Sequence, residues 1–515
     1  VGASISLSHI NSRGVLTGAQ SPGTGVLLPG ATASALLFPP TLPVLDESEP
    51  GGYTFEDDRG RNLANPVADA AETDNISKNS RVIGSAYGTL LLAEGLNLKA
   101  SVGIDGYSVK ENRFVPNFLK RTEANNGEAV VATVDGFTWL TEFTLNYKRT
   151  LKEKHAIDAL AGATFQGFQS ERLFTFALDF PDNRTGYHNL GSALNPQPPA
   201  NGESSWGIIS YLGRVNYTLD DKYLFTVTGR LDGASKFGED SKYGFFPSGS
   251  VAWKLHQEPF IEKLGVFTSL KARFSYGIIG NQEIGPFGSL ATVGPLGQGV
   301  FNNDEPYIGQ EPLRYPNPGL KWERTNQADL GIDAEFLEGR IGFTADLYQK
   351  NTTDLLLFAP LPTTTGFSSY LANIGGLKNQ GFEVAVNSRN TTGAFLWQTS
   401  LNFSANRNEI TELSSDSDIP VPGVLQAPAG WSILRVGQPL GTFFGLKSAG
   451  IFQSDAEAQS SPVLRGQDAE AGDRRYEDIN GRDAEGNLTG QPDGVIDEAD
   501  RTIIGNANPA FIWGL

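Results

Sequence analysis

Apolar and polar residues alternate with a period of two along most of the chain, which is the signature of half-buried strands. In 214–219 Val215, Tyr217 and Leu219 alternate with Arg214, Asn216 and Thr218. After Asp220-Asp221-Lys222, the residues Tyr223, Phe225 and Val227 fall on one face and Thr226, Thr228 and Arg230 on the other, which predicts a hairpin. From 327 to 336 Ala328, Leu330, Ile332, Ala334 and Phe336 alternate with Gln327, Asp329, Gly331, Asp333 and Glu335; a turn at Glu338-Gly339 leads to Ile341, Phe343, Ala345 and Leu347. The same pattern runs through Leu96 to Ile104, Phe137 to Tyr147, Leu270 to Tyr276 and Phe395 to Phe403. About fourteen strands of roughly ten residues follow, longer than the five or six usual in soluble sheets.

The connections alternate in length. Short turns are predicted at 93–95, 220–222, 338–339 and about 389–393, and long Gly/Pro/Asn-rich stretches at about 17–80, 169–204, 280–325, 352–378 and 454–508. Structureless loops beyond about fifteen residues are uncommon in compact domains. Their recurrence after near-even numbers of strands predicts an all-β fold, an antiparallel transmembrane β-barrel with short turns on one rim and long loops on the other. Tyr147, Tyr223, Phe336 and Trp397 near strand ends suit an interfacial girdle. The competing fold is a large soluble sandwich or propeller, but strands this uniform carry too much charge on one face, and no repeat of propeller length is visible.

No run of about 18 uncharged apolar residues occurs, which excludes a spanning helix and leaves a barrel open. The balance of 40 basic against 58 acidic side chains, net −18, argues against a nucleic-acid partner. With no Cys, disulfides, thiolate metal sites and Cys nucleophiles are excluded together. His9, His155, His188 and His256 are too scattered for a zinc site. The sequence starts at Val1 with no signal segment, as a mature or truncated piece would.

Several segments, taken jointly, resemble the SusC/RagA family of TonB-linked outer-membrane proteins. They are Asn317-Pro318-Gly319-Leu320-Lys321-Trp322-Glu323, then 361–368 (LPTTTGFS), 373–383 (NIGGLKNQGFE), 435–446 (RVGQPLGTFFGL) and 472–506, with 36–44 (LLFPPTLPV), 230–237 (RLDGASKF) and Phe246-Pro247-Ser248 upstream. Read as chemistry, the Asn-Pro and PTTTGFS runs are turn residues at loop mouths. The resemblance spans essentially all of 1–515 and implies a 22-stranded barrel, of which about fourteen strands are seen here, around a plug domain not found in this sequence. It also implies TonB-driven import of large nutrients, oligosaccharides or oligopeptides, under a SusD-like surface lipoprotein, with the TonB complex engaging an N-terminal region absent from this sequence. The expected location is the cell outer membrane, surrounded by its lipid. A barrel lacking strands at both ends would expose unpaired edges, so this piece is not expected to be stable in a membrane alone.

Within 472–506 an acidic insertion reads like a calcium loop. Asp478, Asn480, Asp493, Asp497 and Asp500 supply side-chain oxygens at positions 1, 3, 5, 9 and 12, Gly494 stands at 6 and Val495 offers its carbonyl at 7, once 482–492 are excised. Calcium or magnesium is the expected ion. The absent flanking helices, the final Asp where Glu is usual, and the insertion leave a carboxylate-rich solvated turn as the other reading. Catalysis has little support: the inner-face carboxylates could include a glycosidase pair, but Asp329, Asp333 and Glu335 recur at strand period like lumen-lining residues and nothing singles out two of them. Trp206, Tyr307, Tyr315 and Trp431 could stack on sugars or serve packing. The alternatives to an energy-coupled importer are a passive porin-like or surface-binding barrel and a secreted β-rich adhesin or hydrolase.

Overall fold

The computed structural model describes residues 1–16, 18–20, 27–54, 64–119, 122, 125–301, 305–414, 418–421 and 430–515. They form two units, 1–332 with 356–373, and 333–355 with 374–515.

The first unit is an antiparallel meander in chain order: β1 (Gly2–Arg13), β2 (Asp74–Ala93), β3 (Leu96–Val115), β4 (Glu128–Leu151), β5 (His155–Leu178), β6 (Ala200–Leu219), β7 (Tyr223–Ala234), β8 (Tyr243–Lys254), β9 (Phe267–Asn281) and the start of β10 (Glu323–Phe336). The second unit continues the grammar with β11 (Ile341–Thr353), β12 (Gly376–Thr392), β13 (Leu396–Glu412) and β14 (Ile512–Gly514). The fourteen strands match the expected number, and the predicted hairpins occur in the predicted register, for instance Val215 opposite Val227 and Tyr217 opposite Phe225. Connections alternate over most of the first unit, with 94–95, 152–154 and 220–222 short against 14–73, 116–127, 179–199 and 282–322 long; 235–242 and 255–266 depart from the pattern, the first shorter than the second.

The turn chemistry is local. Asp220 and Asp221 take left-handed φ of 51° and 56°, which short Asx side chains tolerate, and so reverse the chain in the few residues a tight hairpin allows.

Two expectations are corrected. Several strands are much longer than ten residues, with β4 and β5 at 24 each, so 169–178 and 200–204 are strand rather than loop, and β2 and β12 likewise begin inside stretches expected to be irregular. Those extensions carry mixed residues on both faces, wet over 169–172 and packed under loops at Ala177 and Leu178, and the alternation that reveals strands fades there. The turn expected at 389–393 lies at 393–395, because a bulge at Arg389/Thr391 lengthens β12.

The decisive feature is where the apolar rows point. Phe137, Trp139 and Phe143 are 45–47% exposed, Val227 is 66% exposed, and Val102, Ile104, Val215, Phe274 and Tyr276 are exposed with them. In a soluble sandwich these rows would be packed against a second sheet. Here the described cores are small and lie under loops, such as Phe114, Ala129, Ala177 and Phe180.

Candidate functional site

The face opposite the exposed apolar rows is polar and internally paired. In the first unit Arg81 donates through Nε to Asp105 at 2.8 Å, Arg230 to Asp232 at 2.7 Å and to Ser210 at 2.9 Å, and Arg273 to Asp329 at 3.4 Å. Asn146 donates to Asp158 at 3.0 Å and Ser101 to Glu142 at 3.2 Å. In the second unit Thr344 donates to Asp333 at 3.4 Å and Tyr348 to Asn406 at 3.1 Å. The carboxylates read from the sequence as wall-lining thus stand on the polar face, Asp329 with Arg273 and Asp333 with Thr344, rather than as two carboxylates facing each other.

At the short-turn end of the first unit the rings gather. His155 stacks on Tyr217, Tyr217 on Phe225, and Tyr223 on Trp253. Tyr223 and Trp253 both donate to Glu258, at 2.8 and 3.2 Å, and these two bonds hold the Glu258 carboxyl below its ordinary pKa. Rings with apolar bodies and hydrogen-bonded tips suit a boundary between lipid and water. Tyr147 and Tyr223 are half-buried at this end of their strands, and Trp397 is exposed on β13.

At the long-loop end, segments far apart in sequence meet. Trp322 is buried between Phe237 and Phe246, ring centroids 5.2 Å away in both cases, and donates from Nε1 to the Lys242 carbonyl at 3.0 Å. Asn317 donates to the Leu371 carbonyl at 2.9 Å, and Asn373 exchanges two bonds with the Lys321 backbone, 2.8 and 2.7 Å. Gly238 abuts the Pro318 carbonyl, where any Cβ would collide. Thus RLDGASKF, FPS, NPGLKWE, PTTTGFS and the start of NIGGLKN are parts of one knot tying the loops 235–242, 282–322 and 356–373 to β7, β8 and β10. The sequence alone places the Asn-Pro and PTTTGFS runs at turns and does not show that these blocks touch; their shared richness in Asn, Gly and aromatic residues is the available signal.

Of the four loop aromatics, Trp206 lies in β6, stacked on Phe168 at 5.5 Å with the Lys236 ammonium 5.2 Å over its ring. Lys236 is nearly fully buried and stands 3.8 Å from Glu283. Tyr315 makes edge contacts with Phe367 and Tyr370. Trp431 is 58% exposed. The Tyr307 side chain lies outside the described residues.

The structure brings the six expected ion ligands into one loop and gives most of them backbone work. Asp478 accepts from the amides of Asp493 and Gly494, at 3.2 and 2.7 Å. Asn480 accepts from the Gly490 amide, and Asp493 from that of Val495 at 3.0 Å. Asp497 caps Ala499 at 2.8 Å and pairs with Arg465 at 2.8 Å. Asp500, fully buried, accepts from Ile479, Asn480 and Asp497. Among the described residues no three carboxylates or imidazoles converge as metal ligands. These oxygens form a hydrogen-bonded cap, and they are the same carboxylate and amide oxygens that a hard cation would take. Next to the cap, hydrogen bonds from Asn487 lower the pKa of Asp483.

The family model described as TonB dependent receptor-like, beta-barrel matches residues 31–487. TonB-dependent receptor P3 of Formosa agariphila is 33% identical over the whole chain and half of that receptor's length, and TonB-dependent receptor SusC of Bacteroides thetaiotaomicron is 40% identical over 222 residues, 41% of this chain and 21% of SusC. The chain spans about half the length of the curated relatives matched over most of it. Among solved structures, that of the RagAB peptide transporter superposes with TM-score 0.68 at 22% identity, over 86% of this chain and 46% of that one.

Proposed function

The chain belongs to the TonB-dependent receptor β-barrel family, as a SusC/RagA-type outer-membrane barrel, and from that premise we propose that it forms part of the wall and loops of an energy-coupled importer of large nutrients. The observation that carries the proposal is the division of faces: exposed apolar rows on one side, paired Arg, Asp, Asn and Ser side chains on the other. Such a wall offers lipid an apolar surface and encloses a wet chamber in which polar cargo keeps its hydrogen bonds. The cargo class is oligosaccharides or oligopeptides, which present polar groups to match that face. A SusD-like lipoprotein over the long loops would capture cargo, and the TonB complex would act on the full-length protein from the periplasm.

The test is uptake by cells that carry the full-length gene. Fluorescent oligosaccharides and oligopeptides of graded length should enter wild-type cells, and entry of at least one class should stop when either this gene or TonB is removed. Uptake that needs the gene but survives loss of TonB would make the protein a passive pore.

For the acidic loop the proposal is a structural cap. Asp500→Asn replaces an acceptor oxygen with a donor facing backbone amides, and should cost about 1–3 kcal/mol of local stability. Hydrogen exchange at the amides of 478–500 should rise accordingly, while chelation with EDTA leaves it unchanged. Faster exchange on chelation would assign the oxygens to calcium or magnesium instead.

A further inference from the structure

We propose that the apolar-side face of β2 and β3, just beyond the end of its apolar rows, binds a phosphate-bearing lipid headgroup of the outer leaflet through Lys78 and Lys110. The proposal rests on the reading that the apolar rows meet lipid, and adds to it a specific headgroup contact.

Pairing fixes which residues share that face. Ile104 stands opposite Gly84 and Val102 opposite Ala86; in the same alternation Ser108 stands opposite Ser80, and Lys110 opposite Lys78. Each strand therefore presents apolar residues or Gly and Ala, then a serine, then a lysine. Climbing a strand tilted about 40° gains roughly 2.6 Å per residue, so Lys110 stands about 36 Å above Leu96, and a lysine stem reaching back brings its ammonium to about 30 Å. An apolar band about 25 Å tall followed by a headgroup layer places phosphates at that height.

The electrostatics select an anion. Lys78 and Lys110 are both exposed, and like charges directly opposite on paired strands repel. Among the described residues neither forms an ion pair, whereas Arg13 beside them is satisfied by Asp74 at 3.1 Å; Asp135 stands diagonal to Lys110 on β4, with Glu171 and Glu203 continuing that row on β5 and β6, so the phosphate is met on the β2 side of Lys110, next to Lys78. On a chain of net charge −18, two adjacent unpaired cations continuous with the lipid-facing surface complement a phosphate at the membrane boundary.

Detergent-solubilised full-length protein, titrated with bis-phosphorylated lipid A and, separately, with phosphatidylcholine, supplies the test by native mass spectrometry. The wild type should retain lipid A over phosphatidylcholine. K78Q/K110Q should weaken lipid A binding about twenty-five-fold, at about fivefold per lysine, and K78R/K110R should restore it. Raising salt on the wild type should weaken binding in parallel, which gives a readout independent of any variant's folding. Lipid A binding that ignores both salt and the lysines, or no preference for lipid A, overturns the proposal. Such a result in protein that still requires detergent leaves the lipid-facing wall intact; protein that stays soluble without detergent would instead remove the premise.

Discussion

Val227→Arg should destabilise the folded full-length protein in lipid by about 2–4 kcal/mol, the cost of a basic side chain near the middle of the lipid-facing wall of a barrel. Val227 is 66% exposed, so the same change on a soluble sheet would remove little buried surface and stay within about half a kcal/mol. Position sets the magnitude. Val227 lies five residues above the turn at Asp220-Asp221-Lys222, about 13 Å up a strand that gains roughly 2.6 Å per residue, which is mid-height in a 25 Å band. Thr164→Arg is the matched control: Thr164 stands on the polar face of β5, opposite Glu142 on β4 and Ser210 on β6. An arginine there meets a carboxylate and water, and should cost less than about 1 kcal/mol. Reversible unfolding from lipid vesicles, or the temperature at which the folded band is lost on unboiled gels, reads the difference. Equal effects at the two positions would mean that both faces meet the same solvent.

Trp322→Ala should cost about 3–5 kcal/mol, the usual range for emptying a buried aromatic site, but the loss should be local. Trp322 bridges Phe237 and Phe246 and bonds the Lys242 carbonyl, so its removal opens a cavity where three loops are tied to the sheet. Strand ladders do not depend on that side chain. Limited proteolysis should therefore begin at 235–242, 282–322 and 356–373, while exchange protection persists in β4 to β6. Trp322→Phe keeps the ring contacts and loses only the indole bond, and should fall between the two by about 1 kcal/mol from wild type. Global loss of the strands in Trp322→Ala would mean that the knot is needed to fold the wall rather than to hold its loops.

How much of this was legible beforehand follows from what selects each residue. Period-two alternation in 214–230 and 327–347 exists because one face of those strands meets an apolar medium, so strand, register and hairpin could be read directly. Beyond the apolar stretch the outer face meets water or packs under loops, as at Ala177 and Leu178, and the alternation lapses, so 169–178 and 200–204 read as loop. Direction was harder than register: Val215 and Val227 alternate identically whether their face meets lipid or a second sheet, and only their exposure separates the cases. The rim knot was illegible for a different reason. Asn317, Asn373 and Trp322 are chosen by partners 54, 52 and 80 residues away, and a local pattern carries no trace of such pairing. In the acidic loop the spacing of oxygens suits ion ligation and turn-capping alike, because both use the short side chains of Asp and Asn at similar intervals.

One face of these strands meets lipid and the other meets water. This chain has no Cys, so single introduced cysteines take a spin label once any cysteine elsewhere in the full-length protein is replaced. In full-length protein reconstituted in lipid, labels at Ile104, Trp139 and Val227 should collide with oxygen and be shielded from an aqueous nickel complex. Labels at Ser101, Thr164 and Thr226 should show the reverse. Labels on the apolar rows that are shielded from both reagents, as in a packed protein interior, would contradict the account.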